Sequence, residues 1–458
     1  MNIHIVGIEG AGTSALAQLY RARGDRVSGS DDGDGFYRQQ LRDLGITLYE
    51  DFDSQHIRAD CDRVVYSTAL GDDNSEIVQA RMQGIPVIPY PEAVAHLFND
   101  AVGVAVCGTH GKTTTTAMIA ETLAGCGYDP CAIVGSQIVG WQGNALTGSG
   151  DVMVLEADEY QNKLRYYNPS IVVLTSVDYD HPDFFKTPKH YMQAFIDFVA
   201  RVPASGFVVA CGDSSRVREV IASAQCRVIT YGFDAVNDVV VTNVQMHHSE
   251  HVAMTFQLNV HAARDTTLVA SEYTLRLPGR YNALNATAAI IVAQEMGCAS
   301  DTIAHALAQF RGARRRFEYH GTYHGAVLID DYAHHPAEVR ATLNAVRQLY
   351  PTQRVVAAFH PHTFTRTKAL LDDFAQSFGM ADEVIVIDIY GSAREEHGGV
   401  HARDVVHAIA MQHSGTVHYI PTIDALAQWA RTNLGNNDVF ITLGAGDIWK
   451  VMDNITKQ

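Results

Sequence analysis

The chain has 458 residues, 47% of them hydrophobic, more than one core usually supports, so two or three domains are expected. A formal charge of −17 at pH 7 excludes a duplex-binding surface, which needs clustered Lys and Arg, and fits acidic solubility instead. The seven cysteines include no CxxC pair and read as reduced thiols; MNIHIVGI enters a strand directly, without a basic leader or long apolar segment, so a cytoplasmic protein with no membrane or nucleic-acid partner is expected.

The first predicted elements are an apolar strand at 3–6, the glycine-rich turn GIEGAG at 7–12, a helical pattern from Ser14 to Arg23, and a strand, RVSGSD, ending at Asp31. That is the β-α-β opening of a dinucleotide-type fold. Glu9, however, stands where GxGxxG has its middle glycine, and a carboxylate there opposes a pyrophosphate. Strand-like runs DRVVYST and IPVIPY complete a first unit over 1–98. The strand VGVAVCG opens a second unit, 99–312, in which strands and helices alternate through VMVLEAD, SIVVLTSVD and FVVACGD. Residues 230–280 alternate polar and apolar side chains like an antiparallel insert, 282–310 is helix-rich, and RGARRRFEYHG resembles a linker. A third unit, 313–458, carries the strands AVLIDDY, RVVAAFH, EVIVIDIY and VFITLGAG. The expected fold is therefore α/β in three units, the first of dinucleotide-fold type.

The second glycine-rich loop carries the clearest chemistry. In Gly108-Thr109-His110-Gly111-Lys112-Thr113-Thr114 the glycines let backbone N–H groups turn inward around phosphate oxygens. Lys112 can then reach the β and γ phosphates, and Thr113 can ligate Mg²⁺. The spacing is shorter than GxxxxGK[ST], but the loop follows an apolar strand and precedes the helical run TTTTAMIAETLAG, the context such a loop needs. ATP or GTP binding follows. Metal-binding candidates stand at the ends of the next strands: Glu156 in VMVLEADEY, and Asp180 with His181 in VVLTSVDYDHPDFF. His181 alone is an ordinary loop histidine, but beside Lys112, Thr113 and Glu156 it becomes a ligand candidate, better suited to Mn²⁺ than to Mg²⁺. Lys112, Glu156 and His181 form the candidate catalytic set.

The motif series GTHGKTTTT, EADEY, DYDHPDFF, PGRYNALNA, RRRFEYHG and DDYAHHPAE resembles the Mur ligase family, in the family's order and across nearly the whole chain. The resemblance implies an ATP-dependent amide-forming enzyme of peptidoglycan precursor synthesis, monomeric or homodimeric. It implies that the three units are an N-terminal Rossmann-like domain, a central P-loop ATPase with a mostly parallel sheet and a C-terminal Rossmann-like α/β domain. The N-terminal unit would hold a UDP-sugar, for which Gly7, Gly10, Gly12, Ser14, Asp31 and Ser67 are the expected contacts. It also implies metal roles for Thr113, Glu156 and His181, and ATP contacts at Asn282, Asn285, Arg316 and Asp331. The amino-acid substrate would lie near His334, His362 and Arg366. The segments GIEGAGTSALAQ, HPHTFTRTK, DIYGSARE and GAGDI resemble the branch that joins L-alanine to UDP-N-acetylmuramate, whereas ARRRFE equally resembles a branch that recycles a murein tripeptide. Relatives that add later residues use a carbamylated lysine soon after the DH motif. Here only Lys186 and Lys189 follow His181 before Lys368, which resembles the alanine-adding branch. Tyr281 and Ser176 depart from the family's usual His and Asn. A nicotinamide dehydrogenase would explain GIEGAG and Asp31 but leave Lys112 and Thr113 idle, and a regulatory GTPase would need an NKxD that the chain lacks.

Overall fold

The computed structural model describes residues 1–33, 35–247, 253–261, 270–391 and 398–456; Ser392 to Glu395 of the DIYGSARE motif lie outside them. Three sheets organise these residues. The first has five parallel strands in the spatial order Thr47–Tyr49, Arg26–Ser30, Asn2–Val6, Arg63–Tyr66, Val87–Pro89. Its order reverses at the first strand, which places the GIEGAG turn in the crevice where such sheets bind ligands. Below that turn Glu76 is fully buried, with the His56 Nδ1 at 2.7 Å, the His4 Nε2 at 3.3 Å and the Ser30 hydroxyl as partners. Burial opposes its charge, but His4, Ser30 and His56 outweigh burial and hold the carboxyl below its ordinary value. Because that pKa is depressed, its contribution to stability is present at neutral pH and fades as pH falls through the carboxylate range. Glu76→Ala is expected to cost about 3 kcal/mol by stranding its partners, seen in calorimetry as a lower midpoint for the N-terminal unit.

The central sheet has ten strands, and Val102–Cys107 lies between Ile171–Leu174 and Val152–Glu156, parallel to both. Residues 104–107 are fully buried, as expected for a parallel strand covered on both faces. The strands Val239–Met246, Met254–Val260 and Glu272–Leu275 are each antiparallel to the next, as their alternation suggests, yet they continue this same sheet instead of forming a separate insert. The third sheet has six strands, five of them mutually parallel. Its antiparallel edge, Glu318–Tyr323, belongs to the stretch expected to be a linker; the connection ends at Phe317. Arg315 and Phe317 both take left-handed backbone (φ 61° and 51°), so the chain turns sharply where it leaves the central domain. No helix among the described residues is long and apolar enough to cross a membrane.

Candidate active site

The phosphate loop stands at the switch point of the central sheet, between the strand Val102–Cys107 and the helix Lys112–Gly125. Gly108 and Gly111 have φ of +123° and +76°, and a Cβ on Gly111 would lie 2.6 Å from the Asn285 Oδ1, so only glycine closes this turn. The His110 N–H donates to the Ser176 hydroxyl at 2.9 Å, which gives the departure at Ser176 a structural job. The Thr109 hydroxyl donates to the Asp178 carbonyl at 2.8 Å, tying the loop to the strand end that carries Asp180 and His181. Lys112 folds back so that its ammonium donates to the Gly108 carbonyl at 2.6 Å and to Glu159 at 3.1 Å. Burial opposes that charge, but Glu159, Asp158 and Glu156 outweigh it and keep the lysine protonated.

The expected metal ligands divide into two neighbouring groups. The Thr113 hydroxyl donates to Glu156 at 2.9 Å, and burial raises the Glu156 pKa despite the Gly135 N–H and Lys112 beside it. His181 instead joins Asp158 and Glu159, with one donor atom from each within 4.8 Å of the others. It also has left-handed backbone (φ 55°), a strained conformation of the kind found at functional sites. Oxygen-rich donors converging beside a lysine fit a hard divalent cation, with the His181 nitrogen as the softer member. Asp158 and Glu159 were not singled out in the sequence, although both lie in the same EADEY motif as Glu156 and so carried a usable signal. Lys186 and Lys189 are exposed and lie outside this group.

Next to the loop, a cavity of about 220 Å³ is lined by Gly111, Thr113, Thr114, Asn282, Asn285, Arg316, Asp331 and Tyr281, among others. The Thr115 hydroxyl of the phosphate helix donates to Asn285 of the helix Arg280–Glu295 at 3.1 Å, and within that helix the Asn285 amide donates to Asn282 at 3.1 Å. The Asp331 carboxylate accepts the N–H groups of Phe317 (2.7 Å) and Ala333 (2.8 Å), so it shapes the sharp connection as well as the cavity wall. Burial raises its pKa to about 6, with Arg316 opposing. Of the three consecutive arginines only Arg316 reaches the cavity. Arg315 holds Asp330 at 2.9 Å and the Gly444 and Gly446 carbonyls, and Arg314 holds Glu318.

The third domain brings His334, His362 and Arg366 together. His362 lies 3.2 Å from the Arg366 guanidinium, and the His334 and His362 ring centroids are 5.8 Å apart. Burial pushes the His334 pKa down to about 3, with Arg366 and His362 assisting, so its imidazole is neutral. Arg366, expected near the amino-acid substrate, also braces two domains. Its guanidinium is 7% exposed and donates to both oxygens of Asp180, at 2.9 and 3.2 Å, across the seam between the central and C-terminal domains.

In the N-terminal crevice, Gly7 (φ +79°) abuts Ser67, and the Asp31 carboxylate accepts the Glu9 N–H at 2.9 Å. Glu9 does not face a ligand as its position suggested: its carboxylate accepts the Gly35 N–H at 2.6 Å and pairs with Arg38. Gly10 and Gly12 flank the start of the helix Ala11–Ala22, where Gly12 packs against the Tyr90 ring. Ser14, expected near the UDP-sugar, lies inside that helix. It is fully buried, its hydroxyl donating to the Ala11 carbonyl at 3.0 Å and accepting from Asn144 of the central domain at 3.3 Å, so it secures the seam between domains.

The phosphate loop and its acidic cluster adjoin the third domain through the Arg366–Asp180 and His110–Glu338 contacts, the layout of a three-domain P-loop enzyme that activates one substrate for attack by another. The family patterns agree domain by domain: "Mur ligase family, catalytic domain" matches residues 2–101, "Mur ligase middle domain" 106–293 and "Mur ligase, glutamate ligase domain" 315–446. The chain belongs to the Mur ligase family. It is 38% identical over 455 residues to the UDP-N-acetylmuramate–L-alanine ligase of Bdellovibrio bacteriovorus, covering 99% of this chain and 98% of that one. It is 37% identical to the protein of the same name from Desulfitobacterium hafniense, covering 98% of each. Among solved structures, the UDP-N-acetylmuramate-alanine ligase of Thermotoga maritima is 26% identical with a TM-score of 0.82, covering 99% of this chain and 98% of that one. A murein peptide ligase from Psychrobacter arcticus shares the fold at 23% identity and a TM-score of 0.71 over 99% of this chain and 98% of that one.

Proposed function

We propose that the chain is an ATP-dependent ligase that joins L-alanine to the lactyl carboxylate of UDP-N-acetylmuramate in the cytoplasm, as a step of peptidoglycan precursor synthesis. One observation carries the reading: the phosphate loop, the acidic cluster and the third-domain group are joined by direct contacts, Lys112 to Glu159 at 3.1 Å and Arg366 to Asp180, next in sequence to His181, at 2.9 Å. The lactyl carboxylate attacks the γ phosphorus, the bond from that phosphorus to the ADP oxygen breaks, and an acyl phosphate results. The L-alanine amine then attacks the acyl carbon, expelling inorganic phosphate and leaving an amide after loss of a proton. Lys112 neutralises charge on the transferring phosphoryl group, whose reaction depends on positioning and electrostatics. Thr113 and Glu156 on one side, and Asp158, Glu159 and His181 on the other, are the residues that would hold Mg²⁺ or Mn²⁺, which when bound supplies further positive charge to the phosphate oxygens. In the N-terminal domain Gly7, Gly10, Gly12, Asp31 and Ser67 shape the UDP-sugar crevice.

The tripeptide-recycling reading is less well supported, because the full-length relatives at 37–38% identity bear the alanine-adding name. The dehydrogenase reading leaves the loop at Lys112 without a purpose. Phosphate release measured with UDP-N-acetylmuramate and, separately, L-alanine, L-serine, glycine or the tripeptide tests the proposal. Turnover is expected to be greatest with L-alanine; turnover with the tripeptide alone would transfer the assignment to the recycling branch.

A further inference from the structure

Position 110 lies inside the phosphate loop, and both nitrogens of its imidazole face carboxylates. Nδ1 is hydrogen-bonded to Glu338 at 3.1 Å, and Nε2 lies 3.3 Å from Asp178, an ion-pair separation without hydrogen-bond geometry. A neutral imidazole carries one proton and would leave a lone pair beside one of these carboxylates, so the arrangement favours two ring protons. The two carboxylates come from different domains. Asp178 follows the central strand Ile171–Leu174, and Glu338 lies in the first turn of the helix Pro336–Leu349 of the C-terminal domain. Glu338 is held in place by the backbone N–H groups of His334 (3.1 Å) and His335 (3.3 Å), and it lines the nucleotide cavity with His110.

We infer that His110 is an imidazolium of the phosphate loop, and that Glu338 is the positioning residue that holds its second proton when the C-terminal domain rests on the loop. The consequence for catalysis rests on the ligase reading: docking of the third domain fixes a second cation near Lys112, so the loop is fully charged only in the closed arrangement. The remaining groups around the ring are consistent with this charge. The His335 ring, centred 4.7 Å away, has its pKa lowered to about 4 by burial and by the His110 charge, so it stays neutral. Arg216 draws on Asp178 from the far side at 3.3 Å, while Arg316 and His334 act on Glu338. Burial disfavours the His110 charge, but Asp178 and Glu338 overcome it and raise the pKa to about 9. The pKa is raised, so the contact contributes fully below the ordinary histidine value and is lost as pH climbs through about 9.

The test is ring ¹⁵N NMR of the full-length, nucleotide-free chain labelled at histidine, with the His110 signals assigned by their absence in His110→Asn. At neutral pH both nitrogens should be protonated, and in Glu338→Gln the deprotonation midpoint should fall by about one unit or more. A neutral His110 at neutral pH, or a midpoint unmoved in Glu338→Gln, would overturn the inference. The measurement needs no turnover, so it is independent of which substrates the enzyme joins. In assays the alkaline limb of kcat should move to lower pH in Glu338→Gln, with the KM for the UDP-sugar unchanged; an unmoved limb counts against the coupling to catalysis.

Discussion

Lys112→Ala is expected to lower kcat by about 10³-fold, the scale seen when one fixed electrostatic donor is removed from a transition state. The lysine sits in a pocket where three carboxylates, Glu159, Asp158 and Glu156, outweigh the penalty of burial. Removing it leaves that negative charge facing the incoming phosphates, so ATP binding weakens as well. The crevice proposed for the UDP-sugar, formed by a different sheet, is untouched, and calorimetric binding of UDP-N-acetylmuramate should be retained. The predicted pattern is thus loss of phosphate release with sugar binding intact. Full turnover in Lys112→Ala would show that the loop does not hold the reacting phosphate.

The second large effect concerns Arg366. Arg366→Ala strands the Asp180 carboxylate, 9% exposed at its side chain, and should cost about 3–5 kcal/mol of domain docking, as is usual when one member of a buried ion pair is removed. Arg366 also holds Asp180 well below the usual carboxylate range despite burial, so the pair contributes its full strength at neutral pH and fades only in strong acid. The brace to Asp180 and the proposed contact with the amino acid are separated by a double variant. Arg366→Ala with Asp180→Asn should recover most of the thermal midpoint, because no bare charge remains. If Arg366 also receives the amino acid, by exchanging Asp180 for the incoming carboxylate, the KM for L-alanine should stay raised in the double variant. Recovery of both stability and KM would reduce Arg366 to a structural brace.

How much of the site was legible depended on whether a residue's task is set by its neighbours in sequence. Gly108, Gly111, Lys112 and Thr113 owe their places to local backbone geometry at a strand-to-helix turn, so a short segment of sequence is enough to locate that turn. The run at 314–316 shows the opposite case. Three identical side chains on consecutive positions go to Glu318, to Asp330 with two carbonyls, and to the nucleotide cavity, because left-handed backbone at Arg315 turns each in a different direction. Glu9 looked opposed to phosphate only while Arg38 and the Gly35 N–H, more than twenty residues away, were out of view. The strand Glu318–Tyr323 was hidden for a similar reason: its pattern is polar, and only pairing with Ala326–Asp331 makes it a strand.

The sequence by itself determined the three α/β units, the phosphate loop and the order of motifs that marks a Mur ligase, since these depend on periodicity, short-range turns and residue type. Tertiary structure alone decided which charges meet. Asp180 with Arg366, and Glu338 with His110, are 186 and 228 residues apart, and no local pattern encodes a partner at such separations. Those contacts exist because the parallel sheets of two domains present their strand ends to one crevice, where burial makes any unpaired charge costly and so selects the carboxylate that each cation meets.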